Sequence, residues 1–164
     1  MSTKQPDGQE PPLFLVDRML GALCRYLRFM GYDTESAHSM AEGNPREDTL
    51  LIRSAERKGR ILVTRDRELA QRAGPRAVLI SGDDVIDQIS QLVKQGLIEP
   101  ELRLNRCSIC NELLRPARSE EVSSASYAPK NRGDLRFFWC RHCRKLYWLG
   151  SHSEQLEKRI RGDF

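Results

Sequence analysis

Residues 61–66 read "ILVTRD". Ile61, Leu62 and Val63 form a short apolar run, two of the three β-branched, and this predicts a strand buried on both faces. The run then passes through Thr64 and Arg65 into a carboxylate, Asp66, where a simple turn residue would suffice. On either side the periodicity changes. "DTLLIRSAERKG" (48–59) predicts a helix ended by Gly59, "RELAQRAG" (67–74) predicts a short helix, and "AVLI" (77–80) predicts another strand.

The alternation extends outward. "LFLVD" (13–17) is a second short apolar run ending in an aspartate. In "RMLGALCRYLRFMGYD" (18–33), Met19, Leu20, Leu23, Tyr26, Leu27 and Met30 repeat at helical spacing, with Arg18, Arg25 and Arg28 mainly between them. Gly31 stands where such a helix stops. "DTESA" (33–37) is a candidate strand, and "NPRE" (44–47) offers Asn44 as N-cap, Pro45 at the first helical position and Glu47 in the capping-box place. "DDVIDQISQLVKQG" (83–96) is an amphipathic helix capped by Asp83 or Asp84. This β-α-β-α order predicts an α/β domain over 13–100, a parallel sheet flanked by helices. A boundary falls near "LIEPELRLN" (97–105), and residues 101–164 form a separate small module.

A chain of 164 residues suits one principal domain with a small appendage. Hydrophobic residues make up 39%, enough for one core, and the 30% charged residues predict a strongly solvated surface. No apolar run approaches the length that spans a bilayer, so no membrane role is expected. The opening "MSTKQPDGQEPP" is polar and proline-rich, without the apolar middle of a signal peptide, and reads as a disordered lead-in over 1–12 in a cytoplasmic protein. The formal charge of +4 divides unevenly, −1 over residues 1–100 and +5 over 101–164. A near-neutral body with a basic tail suits an anionic polymer held near carboxylates; uneven solvated charge with no partner is the plainer reading.

"CSIC" (107–110) and "WCRHC" (139–143) place Cys107, Cys110, Cys140 and Cys143 in two C-x-x-C pairs. Two intervening residues let a tight turn aim both sulfurs at one ion, and two such turns complete a tetrahedral shell for Zn²⁺. The alternative is a pair of disulfides, but nothing else suggests secretion. Four thiolates leave no open position, so the zinc is expected to be structural. The long stretch between the pairs, including "SSASYAPKNRGD" (123–134), has a loop's composition. Cys24, on the apolar side of the first helix, reads as a small buried hydrophobe. Around the second pair, "RFFWCRHCRKLYWLGSH" interleaves five aromatic residues with four cations. Most of the aromatics are expected in the module's core, with Arg141, Arg144 and Lys145 as RNA contacts.

The carboxyl ends of strands in an open parallel sheet line the crevice where ligands bind. Asp17 and Asp66 each end a predicted strand, and Asp48, early in the intervening helix, can approach the same edge. Glu68 is a possible fourth acid and Asp84 a competing one. Clustered acids oppose one another's ionisation, and a hard cation such as Mg²⁺ or Mn²⁺ removes that cost through oxygen ligation. Each residue also has a plainer role. Asp17 and Asp66 can cap helices, Asp48 can favour a helix's positive end, and Glu68 can simply face solvent. Two strand-terminal aspartates together favour the metal site.

"FLVDRMLGALCRYLRFMGYDTE", "DTLLIRSAERKGRILVTRD" and the paired C-x-x-C module ending "YWLGSH" resemble the Mut-seven C-terminal RNase family, over about Leu13 to Ile160. The resemblance implies a PIN-like nuclease domain with an appended zinc ribbon and metal-dependent cleavage of single-stranded RNA. It implies catalytic carboxylates at Asp17, Asp48 and Asp66, which would hold Mg²⁺ or Mn²⁺. "TRDREL" adds Glu68, although a glutamate stands where aspartate is commoner in the wider PIN pattern. The alternative reading is a non-catalytic RNA- or ribosome-binding adaptor that retains the fold.

Overall fold

The computed structural model describes residues 8–37 and 46–162. Four parallel strands form the main sheet: β1 (Phe14–Val16), β2 (Thr34–Ser36), β3 (Ile61–Thr64) and β4 (Ala77–Leu79), in the order β2-β1-β3-β4. Register aligns Val16 with Ser36 on one side and with Val63 on the other. The connections are α1 (Gly21–Phe29), α2 (Glu47–Lys58) and α3 (Arg67–Ala73), and α4 (Val85–Lys94) follows β4. The expected α/β architecture is therefore present, with a parallel sheet flanked by helices.

The pleat divides the strands between two cores. Phe14, Val16, Val63 and Ile80 pack with Leu23 and Leu27 of α1 and with Ile89 and Leu92 of α4. Leu15 and Leu62 point the other way, onto Leu51 and Ala55 of α2 and Leu69 of α3. Alternate residues thus serve opposite faces, and this is why Phe14–Val16 and residues 61–63 are apolar without a break, whereas β2, at the sheet's edge, is Thr-Glu-Ser. α1 lies on one face, α2 and α3 on the other, and the strand order reverses between β1 and β3. A crevice opens at such a point outside the carboxyl ends of the two strands.

Two local details depart from the sequence reading, and a third falls outside the described residues. The segment expected to be one helix from Arg18 begins as a 3-10 turn, Arg18–Leu20, before α1. The cap expected at Asn44 and Pro45 lies outside the described residues, and Arg46 precedes α2 without a side-chain cap. The stretch between the cysteine pairs is partly helical, α5 (Ser119–Ser124). Gly59 does end α2, at φ 64°, and Asp84, of the two candidates, caps α4.

The cysteine module carries a three-stranded antiparallel sheet, β5 (Arg115–Pro116), β6 (Phe137–Cys140) and β7 (Lys145–Trp148). Tyr147 is buried, while Phe137, Phe138, Trp139 and Trp148 are half-buried. Tyr127, from the insertion, stacks on Trp148 with centroids 6.3 Å apart, and its hydroxyl accepts from the Leu146 N–H at 2.8 Å. The final helix, α6 (Ser151–Arg161), returns to the body: Leu156 and Ile160 join the first core, and Glu157 accepts from the Leu102 N–H at 2.9 Å. Among the described residues no helix is long and apolar enough to cross a membrane.

Candidate active site and thiol centre

β1 stops at Val16, so Asp17 is the first residue beyond the sheet, held to β3 by its N–H to the Val63 carbonyl at 2.9 Å. Its Oδ1 accepts from the Arg18 N–H at 2.7 Å, which makes it the cap of the 3-10 turn. Its Oδ2 accepts from the Thr64 hydroxyl, also at 2.7 Å. That same Thr64 oxygen accepts the Asp66 N–H at 3.0 Å. One wholly buried hydroxyl therefore ties the two strand ends and both aspartates together.

Asp66 caps α3 as well. Its Oδ1 takes the N–H groups of Glu68 and Leu69 at 2.9 and 3.2 Å, while Oδ2 has no hydrogen-bond partner among the described residues. Capping and an additional ligand role do not exclude each other, because they use different oxygens. Asp48 lies in the first turn of α2, with Arg72 of α3 at 3.5 Å from its Oδ2 and 2.8 Å from the Thr49 hydroxyl. Partial burial raises the pKa of Asp48, as does the charge of Asp66; Arg72 opposes this, and Asp17 and Glu47 add to the rise. The three acids thus share one electrostatic field, although they are 31 and 18 residues apart in sequence.

They do not share one ready-made shell. Among the described residues, the four cysteines form a group whose ligand atoms all lie within 4.8 Å of one another; Asp17, Asp48 and Asp66 do not. Glu68 is exposed in the first turn of α3, and Asp84 is exposed as the cap of α4. Arg18 pairs with Glu47 at 2.8 Å and Arg65 with Asp83 at 2.8 Å, so both basic neighbours are engaged by acids outside the expected set. The donors around the crevice are hard oxygens, one of them unbonded. This suits Mg²⁺ or Mn²⁺, which keep several waters and take only one or two carboxylates besides a substrate's phosphate.

Thr64 and Arg72 were not singled out in the sequence. The signal for Thr64 is its place between the apolar run and Asp66, where a hydroxyl can serve two strand ends. Arg72 carries no comparable signal, since only α3 lying against α2 brings it to Asp48.

At the thiol centre the two C-x-x-C turns are built alike. Asn111 and Arg144, each just after a second cysteine, adopt left-handed backbone at φ 71° and 54°. Each donates its N–H to the carbonyl of the first cysteine, at 2.9 Å for Asn111 to Cys107 and 2.8 Å for Arg144 to Cys140. The Sγ atoms of Cys110 and Cys140 stand 3.5 Å apart. A tetrahedral shell with Zn–S bonds of about 2.3 Å spaces its sulfurs by roughly 3.8 Å, so the donor set fits zinc. Burial pushes the thiols of Cys110 and Cys143 up. Burial opposes ionisation of Cys107 too, but the Tyr147 hydroxyl at 3.1 Å and backbone N–H groups outweigh it and bring that thiol down to about 7. Cys24 is buried and its pKa is raised, chiefly by that burial. Arg141 and Arg144 are exposed on the second turn, and Lys145 sits 5.3 Å from the centre of the Tyr147 ring. His152 is exposed at the start of α6.

The first turn docks on the body. Arg28 donates from Nη1 to the carbonyls of Ser108 and Ile109 at 2.9 and 3.0 Å, and from Nε to that of Thr34 at 2.9 Å. Asn111 accepts the Thr34 N–H at 3.1 Å and donates to Asp33 at 2.8 Å. Gly31 lets the connecting segment pass: at φ 94°, any Cβ would lie 2.8 Å from Oδ1 of Asn105.

A parallel α/β domain with acids at its strand ends, joined to a four-cysteine β module consistent with a zinc ribbon, is the class of protein that this fold and site define. The Mut7-C RNAse domain matches residues 12–160, nearly the whole chain, and the protein belongs to that family. Membership implies a ribonuclease-type function with RNA as substrate. No curated protein and no solved structure matches the chain.

Proposed function

We propose that this protein is a metal-dependent endoribonuclease that hydrolyses phosphodiester bonds of single-stranded RNA at the crevice between β1 and β3. The observation that carries the reading is the Thr64 bridge, which fixes Asp17 and Asp66 on adjacent strand ends while Asp66 Oδ2 has no partner among the described residues. Asp17, Asp48 and Asp66 are the residues to hold Mg²⁺ or Mn²⁺, with Glu68 as a further acid. When bound, such an ion supplies a lowered water pKa and neutralises charge on the phosphate. The chain's own contribution is orientation. Thr64 and the Arg18 N–H hold both oxygens of Asp17, the α3 amides fix Asp66, and Arg72 steadies α2 beside Asp48.

The zinc ribbon assists binding, with Arg141, Arg144 and Lys145 on its second turn meeting phosphates. Zinc is structural there, since four thiolates close the shell. Four cysteines gathered as a metal-ligand set rather than spaced as disulfide pairs fit a reducing, cytoplasmic setting. One observation favours the second reading, an RNA- or ribosome-binding adaptor: the acids do not converge as the cysteines do.

The two readings part in one experiment. Zinc-loaded protein is incubated with labelled single-stranded and structured RNA, with Mn²⁺ or with EDTA, beside Asp66→Asn. Nuclease function predicts Mn²⁺-dependent products that the variant does not make while remaining folded. Equal cleavage by the variant refutes the site, and salt-sensitive binding without products supports the adaptor.

A further inference from the structure

A cleft of about 870 Å³ lies between α1, the end of β2 and the first cysteine turn, lined by Gly21, Arg25, Arg28, Lys58, Ile109 and Asn111 among others. Its volume sits at the upper end of the roughly 300–1,000 Å³ typical of ligand sites. Arg28 forms its floor and is 8% exposed. A guanidinium buried to that degree normally faces a carboxylate. Here its bonded donors reach only backbone carbonyls, those of Thr34, Ser108 and Ile109. Arg25, one turn earlier on the same helix, is exposed and without a partner among the described residues. Among the described residues, the acid lining the cleft is Glu35, already shared between Lys58 at 2.9 Å and Arg60 at 3.3 Å. The local balance is therefore positive, in low-dielectric walls that strengthen attraction for an anion.

The cleft adjoins the strand end that carries Asp17. Ser36, on its wall, aligns with Val16, the residue before Asp17, and Gly21 opens the helix that follows Asp17. Ile109 is 57% exposed at the rim, an apolar surface beside the cations. Phosphate-seeking cations next to an apolar face suit nucleotides, whose charge and bases lie on opposite sides.

We infer that this cleft, walled by the body on one side and the first cysteine turn on the other, seats the RNA strand beside the scissile phosphate. Arg25 and Arg28 meet its phosphates and Ile109 lies against a base. The inference rests on the nuclease reading for the position of the scissile bond. It gives the ribbon a task apart from its exposed second turn, because docking through Arg28 and Asn111 creates the groove. Arg25 is a binding residue here, and its removal leaves the acids untouched.

The test measures binding, so that it stands apart from cleavage. In a zinc-loaded Asp66→Asn background, a short 5′-labelled single-stranded oligoribonucleotide is titrated by fluorescence anisotropy across a salt series, with Mg²⁺ and Mn²⁺ omitted. Adding Arg25→Gln is expected to weaken binding about tenfold, as for one lost charge-assisted contact. The log–log salt slope is expected to fall by about 0.7, the value per phosphate for single strands. Arg25→Lys is expected to restore most of both. Unchanged affinity and slope in Arg25→Gln overturn the inference, whatever the enzyme cleaves. Competition by inorganic phosphate or a mononucleotide as effective as that by the strand also overturns it, in favour of a small-anion site. Failure of the nuclease reading shows elsewhere, as Asp66→Asn protein that cleaves like the wild type.

Discussion

Replacing Thr64 by valine removes one hydroxyl from a wholly buried site while conserving volume. The hydroxyl donates to Asp17 Oδ2 at 2.7 Å and accepts the Asp66 N–H at 3.0 Å, so the substitution strands two groups. A hydrogen bond to a charged group contributes about 1.5–3 kcal/mol, and a stranded buried donor costs about 1–3 kcal/mol. Asp17 is half-buried and Asp66 exposed, which moves both figures to their low ends, and the added methyl offsets part of the loss. The expected destabilisation is about 2 kcal/mol, which for a chain of this size lowers Tm by about 4–8 °C. Urea unfolding at neutral pH measures it, with wild type, Thr64→Val, Asp17→Ala and the double variant forming a cycle. Coupling of about 1 kcal/mol or more is expected, since the two residues are in direct contact. Additive effects, or a Thr64→Val cost below about 0.5 kcal/mol, would refute the bridge. Cleavage provides a second readout: a positioning role predicts lower kcat with RNA affinity largely retained.

Three further outcomes follow from the site geometry. Asp33 is partly buried, which pushes its carboxyl up, but hydrogen bonds from Asn111 and Arg60 and the charges of Arg60 and Arg106 more than offset this and hold it low. Its stabilising contribution is therefore complete above the unfolded value of about 3.9 and is lost as pH falls through the lower folded value. Asp33→Asn should flatten that acid limb in melts between pH 5 and pH 2, and an unchanged limb counts against the docking contact. Asp48 has the opposite sign: its raised pKa means that the ionised form is disfavoured by folding, and relief comes as pH drops through the folded value. With its side chain 41% exposed the effect is screened to a few tenths of a kcal/mol. Asp48→Asn should thus be near-neutral without metal, yet lose much of the ~1.4 kcal/mol that Mg²⁺ at ten times its Kd gives the wild type; equal Mg²⁺-induced Tm shifts would remove Asp48 from the ligand set. Finally, stripping zinc with a chelator, or Cys140→Ser, should melt β5–β7 and release the Arg28 and Asn111 contacts. Hydrogen exchange should then rise in residues 103–116 and also at Thr34, whose N–H Asn111 accepts; protection at Thr34 that survives zinc loss would show docking to be independent of the metal.

Much of this was legible in the chain. Apolar runs at Phe14–Val16 and Ile61–Thr64 specify strands because residues covered on both faces must be apolar throughout. The helical repeat from Leu20 to Met30 specifies one face against the sheet, and Leu23 and Leu27 are indeed buried there. The C-x-x-C spacing specifies two turns that aim sulfurs inward, since only that short separation closes the N–H to carbonyl bond seen in both. A cap at Asp83 or Asp84 was readable too, because an aspartate just before an apolar periodic run can accept from the first free amides, and the structure selects Asp84.

Other features required pairs of residues distant in sequence. The pattern named Asp17 and Asp66 as strand ends, but only the order β2-β1-β3-β4 makes those strands neighbours and lets Thr64 bond to both. A buried arginine on α1 carries no sequence mark of its acceptors; the carbonyls of Ser108 and Ile109 come from 80 and 81 residues away. Composition placed α6 with the cysteine module, yet Ile160 completes the body's first core, because an apolar side chain is stabilised wherever it is covered. The amino-acid sequence alone determined the main strands and helices of the body, the two C-x-x-C turns and the acids at the strand ends, all set by spacing along the chain. Tertiary structure decided which oxygen of each acid is engaged, how the ribbon meets the body and where a basic cleft opens, because these depend on directions in space that local periodicity does not encode.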